Sequence, residues 1–190
     1  MFTFASMMNI VIKNRRCKKE NILKEYSDAV IIDVTSKATD EFQRLSPFYP
    51  HGGIPVPFSP GWTAMSVEGI WQGLKVFKSG VGVDRNAFRN DTMKGIKRTV
   101  RTNGPILGHR KGVDGSEILD YLTARYMIYK PSYMWMLENK CADLIKKLRI
   151  IAKSRTLVLL DYNTNPDIDD TSSPLSHASL IKEFLLSEMQ

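Results

Sequence analysis

The chain has 190 residues, enough for one domain with a buried core, and its 43% hydrophobic and 25% charged content excludes a disordered or fibrous class. Two cysteines, Cys17 and Cys141, make no disulfide framework, and His51, His109 and His177 are too scattered for a zinc motif, so a reducing compartment with no metal or cofactor is expected. The net charge of +7 favours a phosphate-bearing partner: a nucleotide, a dinucleotide or a nucleic acid.

The opening run MFTFASMMNIVI has its charges after the apolar stretch, the reverse of a secretory signal, and is shorter than the roughly 20 residues a bilayer span needs. A first strand or buried segment is expected, in a cytoplasmic protein (host cytoplasm if phage-encoded) with no membrane partner. VIIDV, Val30 to Val34, reads as a buried strand. Leu45 to Trp62 holds five prolines and three glycines, which forbid a regular element, yet its aromatic residues call for burial. A long ordered loop of this kind inside a domain is usually functional.

SVEGIWQGLKVF, Ser66 to Phe77, reads as an amphipathic helix. At about 100° per residue, Gln72 and Lys75 fall beside Glu68 with Trp71 next to them, and Val67, Ile70, Leu74 and Phe77 fall opposite. Gly69 and Gly73 lie between the two stripes. Each costs up to about 1 kcal/mol against Ala, so a backbone or a ligand is expected to pack against them. An exposed helix with Glu68 favoured by the helix dipole fits the same pattern.

Ala87 to Arg101 is expected as a second helix that gathers Lys94, Lys97, Arg98 and Arg101 on one face. Thr102 to Gly115 reads as a glycine-rich loop presenting His109, Arg110 and Lys111, a second phosphate candidate whose alternative is a basic surface turn; it lacks the spacing of a P-loop. Ser116 to Tyr129 is expected to be a helix that starts at Ser116 and stops before Pro131. In it Arg125 either points into a site or pairs with an acid. Ser132 to Lys153 is the longest expected helix, Thr156 to Tyr162 a buried strand, and SHASLIKEFLLSEM a terminal helix with His177 as a cap or packing residue. Asp161, Asn163 and Asn165 match the first three EF-hand ligand positions, but Pro166 stands where glycine is required and Ser172 where the bidentate glutamate should be, which rejects an EF-hand. Asp161 either joins Glu68 in a carboxylate pair or belongs to a solvated acidic turn. The sum is a mostly helical α+β domain spanning 1–190 with a small sheet.

Charge is uneven along the chain. Lys75 to Lys111 carries ten Lys and Arg against two Asp, and Asp161 to Gln190 six acids against one Lys. The basic half fits a phosphate-bearing ligand or a solvated face.

LSPFYP followed by SVEGIWQGLKVF resembles the signature of the NADAR superfamily through Leu45, Ser46, Phe48, Tyr49, Pro50, Val67, Glu68, Gln72, Lys75 and Phe77. It is similar to a divergent phage or bacterial branch: Gly69 stands where that family places a His, and no WG follows Asp161. The resemblance implies a NADAR-like fold and an N-glycosidase acting on ADP-ribose or a related nucleotide-ribosyl linkage, either NAD-derived or on nucleic acid. It further implies Glu68, Lys75 and Asp161 as catalytic residues. Substrate contacts would come from Phe48, Tyr49, Trp71, Gln72, His109, Arg110 and Arg125. The alternative is a non-catalytic nucleotide or nucleic-acid binder that uses the basic face.

Overall fold

Three apolar runs distant in sequence lie side by side as a parallel sheet. The computed structural model describes residues 8–187, so residues 1–7 of the apolar N-terminal run lie outside it. The chain passes through β1 (Ile10–Asn14), α1 (Lys19–Glu25), β2 (Val30–Asp33), a 3₁₀ turn (Glu41–Leu45), the short pair β3 (Ile54–Pro55) and β4 (Thr63–Ala64), and α2 (Val67–Gly73). Next come β5 (Lys75–Phe77), α3 (Arg85–Arg89), α4 (Val100–Asn103), β6 (Ile106–Arg110), β7 (Ile118–Leu119) and α5 (Tyr121–Ala124). A π-helical turn (Arg125–Tyr129) leads into α6 (Lys130–Lys140), α7 (Ala142–Ser154), β8 (Leu157–Asp161) and α8 (His177–Ser187). The class is α+β. No helix of the described residues is long and apolar enough to cross a membrane.

The parallel sheet has the order β1-β8-β2. Side chains alternate between the faces of a strand. Leu157 and Leu159 therefore enter the main core, while Val158 joins Ile22 and Ala29 in a smaller cluster. Coverage of both faces is why the central strand β8 is an apolar run from Leu157 to Leu160, while the flanking β1 and β2 are mostly half-buried and end in polar residues. β2 and β8 run the same way, so their carboxyl ends deliver Thr35 and Ser36, and Asp161, Tyr162 and Asn163, to one edge of the sheet. That edge is where open parallel sheets bind ligands. A second sheet, β5-β6-β7, is antiparallel and pairs Lys75 with His109.

Several helical expectations give way, each for a local reason. The 66–77 helix ends at Gly73, because Lys75–Phe77 is drawn into an extended strand against β6 with all three side chains buried. The 87–101 helix is two short pieces. Between them Asn90 and Thr92 hydrogen-bond their own neighbouring backbone, and Met93 and Gly95 adopt positive φ, which competes successfully with helix. Lys94, Lys97, Arg98 and Arg101 therefore share no helix face. The 102–115 loop contains strand β6, so His109 is a buried sheet residue rather than a loop tip.

Further along, the helix expected from Ser116 starts after β7 instead, where the Asp120 carboxylate accepts from Thr123 N. It does not stop before Pro131: the wide π turn moves the preceding carbonyls away from the proline ring, and the helix continues to Lys140. The 132–153 helix breaks at Cys141. Arg44 bridges that joint, donating to the Lys140 carbonyl and, through both terminal nitrogens, to Asp143 at the start of α7.

The two glycines of α2 face α3. A Cβ on Gly69 would lie 2.6 Å from the Ala87 carbonyl oxygen, and one on Gly73 would overlap Phe88 Cε1 and lie 2.7 Å from its Cδ1. The tight neighbour is therefore protein. Helix propensity alone would make Gly73→Ala stabilising by about 1 kcal/mol. Because Phe88 is a core side chain that cannot yield, the substitution is expected instead to destabilise by about 1–3 kcal/mol, read as a lowered midpoint in urea with an unchanged slope.

Candidate active site

A cleft of about 570 Å³ opens beside the carboxyl ends of β2 and β8. One wall is α2. Its position is set by the Ser66 hydroxyl, which caps the helix by accepting from Gly69 N, and by Glu68 N, which donates to the Pro47 carbonyl and fixes the proline-rich loop to the helix. Phe48, Glu68, Trp71, Gln72, Lys75, Arg125 and Asp161 all line this cleft. Tyr49, His109 and Arg110 do not.

Glu68, Gln72 and Lys75 form a continuous chain. Gln72 Nε2 donates to Glu68 Oε1 at 2.8 Å, and Lys75 Nζ donates to Gln72 Oε1 at 2.9 Å. The polar stripe thus persists although Lys75 stands in a strand. Gln72 Oε1 also accepts from Arg98 N at 3.0 Å, and the Arg98 guanidinium takes the carbonyls of Gln72, Lys75 and Gly82 at the end of α2. Burial dominates the chain's titration. It holds the Glu68 carboxyl above the usual carboxylate range, against the pull of the Gln72 bond and of Lys97, Lys75 and His177. Burial also lowers Lys75, with Arg98 and Lys97 adding to that and Glu68 opposing it.

The raised carboxyl carries a stability signature. A group whose folded pKa exceeds its unfolded value contributes stability that is full below the unfolded value, near 4.5, and is lost as pH rises through the folded one. Glu68→Gln copies the protonated form and keeps an acceptor for Gln72. Its melting temperature is expected to equal that of the wild type at pH 4 and exceed it by about 2–4 °C at pH 8, corresponding to about 1 kcal/mol.

Asp161 is held differently. Its Oδ2 accepts from the Ser176 hydroxyl at 2.8 Å and from Ala178 N at 3.3 Å, and lies 3.0 Å from His177 Nδ1; its Oδ1 accepts from Tyr162 N. His177 Nε2 is 2.9 Å from the Val34 carbonyl, which can only accept, so that nitrogen carries a proton. Burial opposes ionisation of both groups, but the mutual charge and the surrounding donors outweigh it, holding Asp161 low and His177 high as an ion pair. With both oxygens engaged, Asp161 ties β8 to the start of α8 and shapes the cleft floor.

Trp71 projects into the cleft. His109 stacks behind it with ring centroids 3.7 Å apart, and Tyr121 and Tyr129 meet it edge-on. Burial, with a smaller contribution from the Lys75 charge, pushes His109 down to about 3, so its imidazole is a neutral support for the indole. Phe48 lies at the rim with Lys97 Nζ 5.6 Å from its ring centroid. Tyr49 turns away and packs on His51. Arg110 donates to the Ser116 carbonyl, and Lys111 pairs with Glu117. The backbone amides of both residues are already bonded to Leu74 and Glu117, so the stretch offers no phosphate cradle there.

Arg125 does point into the structure, but toward backbone: it donates to the carbonyls of Ile168, Asp170 and Ser173 and to the Tyr121 hydroxyl, fastening the 163–175 loop beside the cleft. Among the described residues no three His, Cys, Asp or Glu side chains converge as a metal ion would require. Sequence reasoning missed the cleft positions of Thr35, Lys97, Arg98, Tyr129 and His177. Only the basic bias of residues 75–111 hinted at any of them.

A family model described as "Family of unknown function (DUF6939)" matches residues 14–181. The chain belongs to the DUF6939 family. The match takes in every element from β2 to β8 and all of the cleft residues, so the site lies within the family's shared region in this DUF6939 protein. No curated protein and no solved structure matches the chain.

Proposed function

We propose that this DUF6939 protein is a NADAR-like N-glycosidase that hydrolyses the linkage between the anomeric carbon of an ADP-ribose or related nucleotide-ribosyl unit and a nitrogen base. The observation that carries the reading is the buried Glu68–Gln72–Lys75 chain on the wall of the cleft. Breaking a glycosidic C–N bond develops an oxocarbenium-like cation, which a carboxylate facing it stabilises. The bond electrons leave with the nitrogen, water supplies the new C–O bond, and its proton balances the departing base. Glu68 suits this work because burial raises its carboxyl toward the range in which an acid–base group works. Lys75 and Lys97 supply positive charge for a diphosphate, and Trp71 and Phe48 offer faces for a planar base. The volume is that of a small-ligand site.

The second reading is a non-catalytic nucleotide or nucleic-acid binder. It is favoured by the basic stretch 75–111 and by Gly69 where the NADAR signature has a His. Incubating the protein with NAD, free ADP-ribose derivatives and ADP-ribosylated nucleic acid separates the two. Release of base by the wild type but not by Glu68→Ala supports hydrolysis. No turnover of any substrate by folded protein, together with binding that weakens steeply with salt and survives Glu68→Ala, supports the binder.

A further inference from the structure

The π turn between α5 and α6 brings the Tyr129 side chain to the cleft. An α-helix advances about 100° per residue, so a four-residue step drifts about 40° around the axis. A π turn has about 4.4 residues per turn, so the same step falls about 30° short. Tyr121 to Arg125 is an α step and Arg125 to Tyr129 a π step. The drifts nearly cancel, and all three side chains line the cleft. Without the wide turn Tyr129 would be rotated away.

The Tyr129 ring is gripped from both sides. It meets Trp71 edge-on at 5.5 Å and stacks on Tyr133 at 6.2 Å with the planes 10° apart. Tyr133 is itself fixed by its hydroxyl, which donates to the Leu45 carbonyl at 2.6 Å. The hydroxyl groups of Tyr121, Tyr126 and Tyr133 are all bonded within the protein. The Tyr129 hydroxyl has no hydrogen-bond partner among the described residues. A rigidly held ring thus presents an unused donor to the cleft.

The surroundings indicate what that donor meets. The charges of Glu68 and Asp161 bear on Tyr129 and, with burial as the larger cause, hold its phenol well above its usual range, so it stays protonated. At this end of the cleft Asp161 is met by His177 and Glu68 is held toward its neutral form by burial, so the groups offered are hydrogen-bonding rather than cationic, whereas the exposed Lys97 at the rim favours a phosphate. A neutral sugar hydroxyl suits the carboxyl end.

We propose that Tyr129 is a specificity-determining residue that donates its phenolic hydrogen to a hydroxyl of the ribosyl unit facing Glu68, with the diphosphate directed toward Lys97. The proposal rests on the nucleotide-ribosyl reading of the cleft. It makes Tyr129 the group that tells ADP-ribose, which has the distal ribose, from ADP, which lacks it.

Calorimetric titration of ADP-ribose and of ADP into wild type and Tyr129→Phe tests it. The substitution removes an unbonded hydroxyl and keeps the ring, so the melting temperature should stay within about a degree. ADP-ribose affinity is expected to fall roughly three- to tenfold, the worth of one neutral hydrogen bond, while ADP affinity is unchanged. Equal effects on both ligands, or no effect on either, overturn the assignment while wild-type binding of ADP-ribose leaves the reading of the cleft intact. Failure of the wild type to bind ADP-ribose overturns both.

Discussion

Arg125→Met is expected to destabilise the protein by about 2–4 kcal/mol, one of the largest effects available outside the main core. Arg125 is 1% exposed, and its guanidinium supplies the donors that hold three carbonyls of the 163–175 loop at 2.5–3.0 Å. It also lies over the Tyr121 ring at 4.6 Å. Met fills much of the volume but donates nothing. The freed carbonyls sit in a largely exposed loop and can turn to water, which caps the cost at the free energy of releasing the loop. The expected signature is therefore two-part: a melting temperature lower by about 5–15 °C, and fast amide exchange confined to residues 163–175 under native conditions. Pro174 and Leu175 line the cleft, so the same variant should also weaken ligand binding. Uniformly raised exchange across β8 and α8 would show that Arg125 supports the core rather than the loop.

The second large effect is on turnover. Glu68→Gln keeps the size of the side chain and an acceptor for Gln72 Nε2, but it can neither carry a negative charge nor exchange a proton. If Glu68 stabilises the developing cation and handles the proton of the attacking water, the rate is expected to fall by about 10²–10⁴ with ADP-ribose affinity retained. The variant should at the same time be the more stable protein above neutral pH. A functional carboxyl held in a site that disfavours its charge gives that pairing of lost activity with gained stability. A rate unchanged by Glu68→Gln would assign the chemistry to another group. A fall in rate matched by a fall in stability would mean that Glu68 is part of the scaffold.

The parts of the fold legible in the sequence were those decided by local pattern. Val30–Asp33 and Leu157–Asp161 appear where their apolar patterns place them, and the central β8 is the more apolar because both of its faces are covered. The polar stripe of Glu68, Gln72 and Lys75 was legible too, although the last three residues of its supposed helix form a strand. Gln72 is long enough to span the change of geometry. What stayed hidden depends on contacts made across the chain. His109 reads as a loop residue until β6 pairs it with Lys75 and Trp71 covers it. Arg98 reads as a surface charge until it meets three carbonyls near the end of α2. Tyr129 enters the cleft through a π turn, which has no compositional signature apart from the nearby Pro131. Residues 87–101 have helical periodicity, yet the Asn90 and Thr92 side chains and a positive φ at Met93 and Gly95 outcompete it.

The cleft between α2 and the carboxyl ends of β2 and β8 is proposed to hold a nucleotide-ribosyl ligand. Hydrogen exchange with and without saturating ADP-ribose tests it most directly. Slowed exchange is expected in residues 46–48, 67–75, 97–100 and 161–163, the segments that line the cleft, with little change in α1 or β3. Protection elsewhere on the molecule, or none with ADP-ribose in large excess, would contradict it.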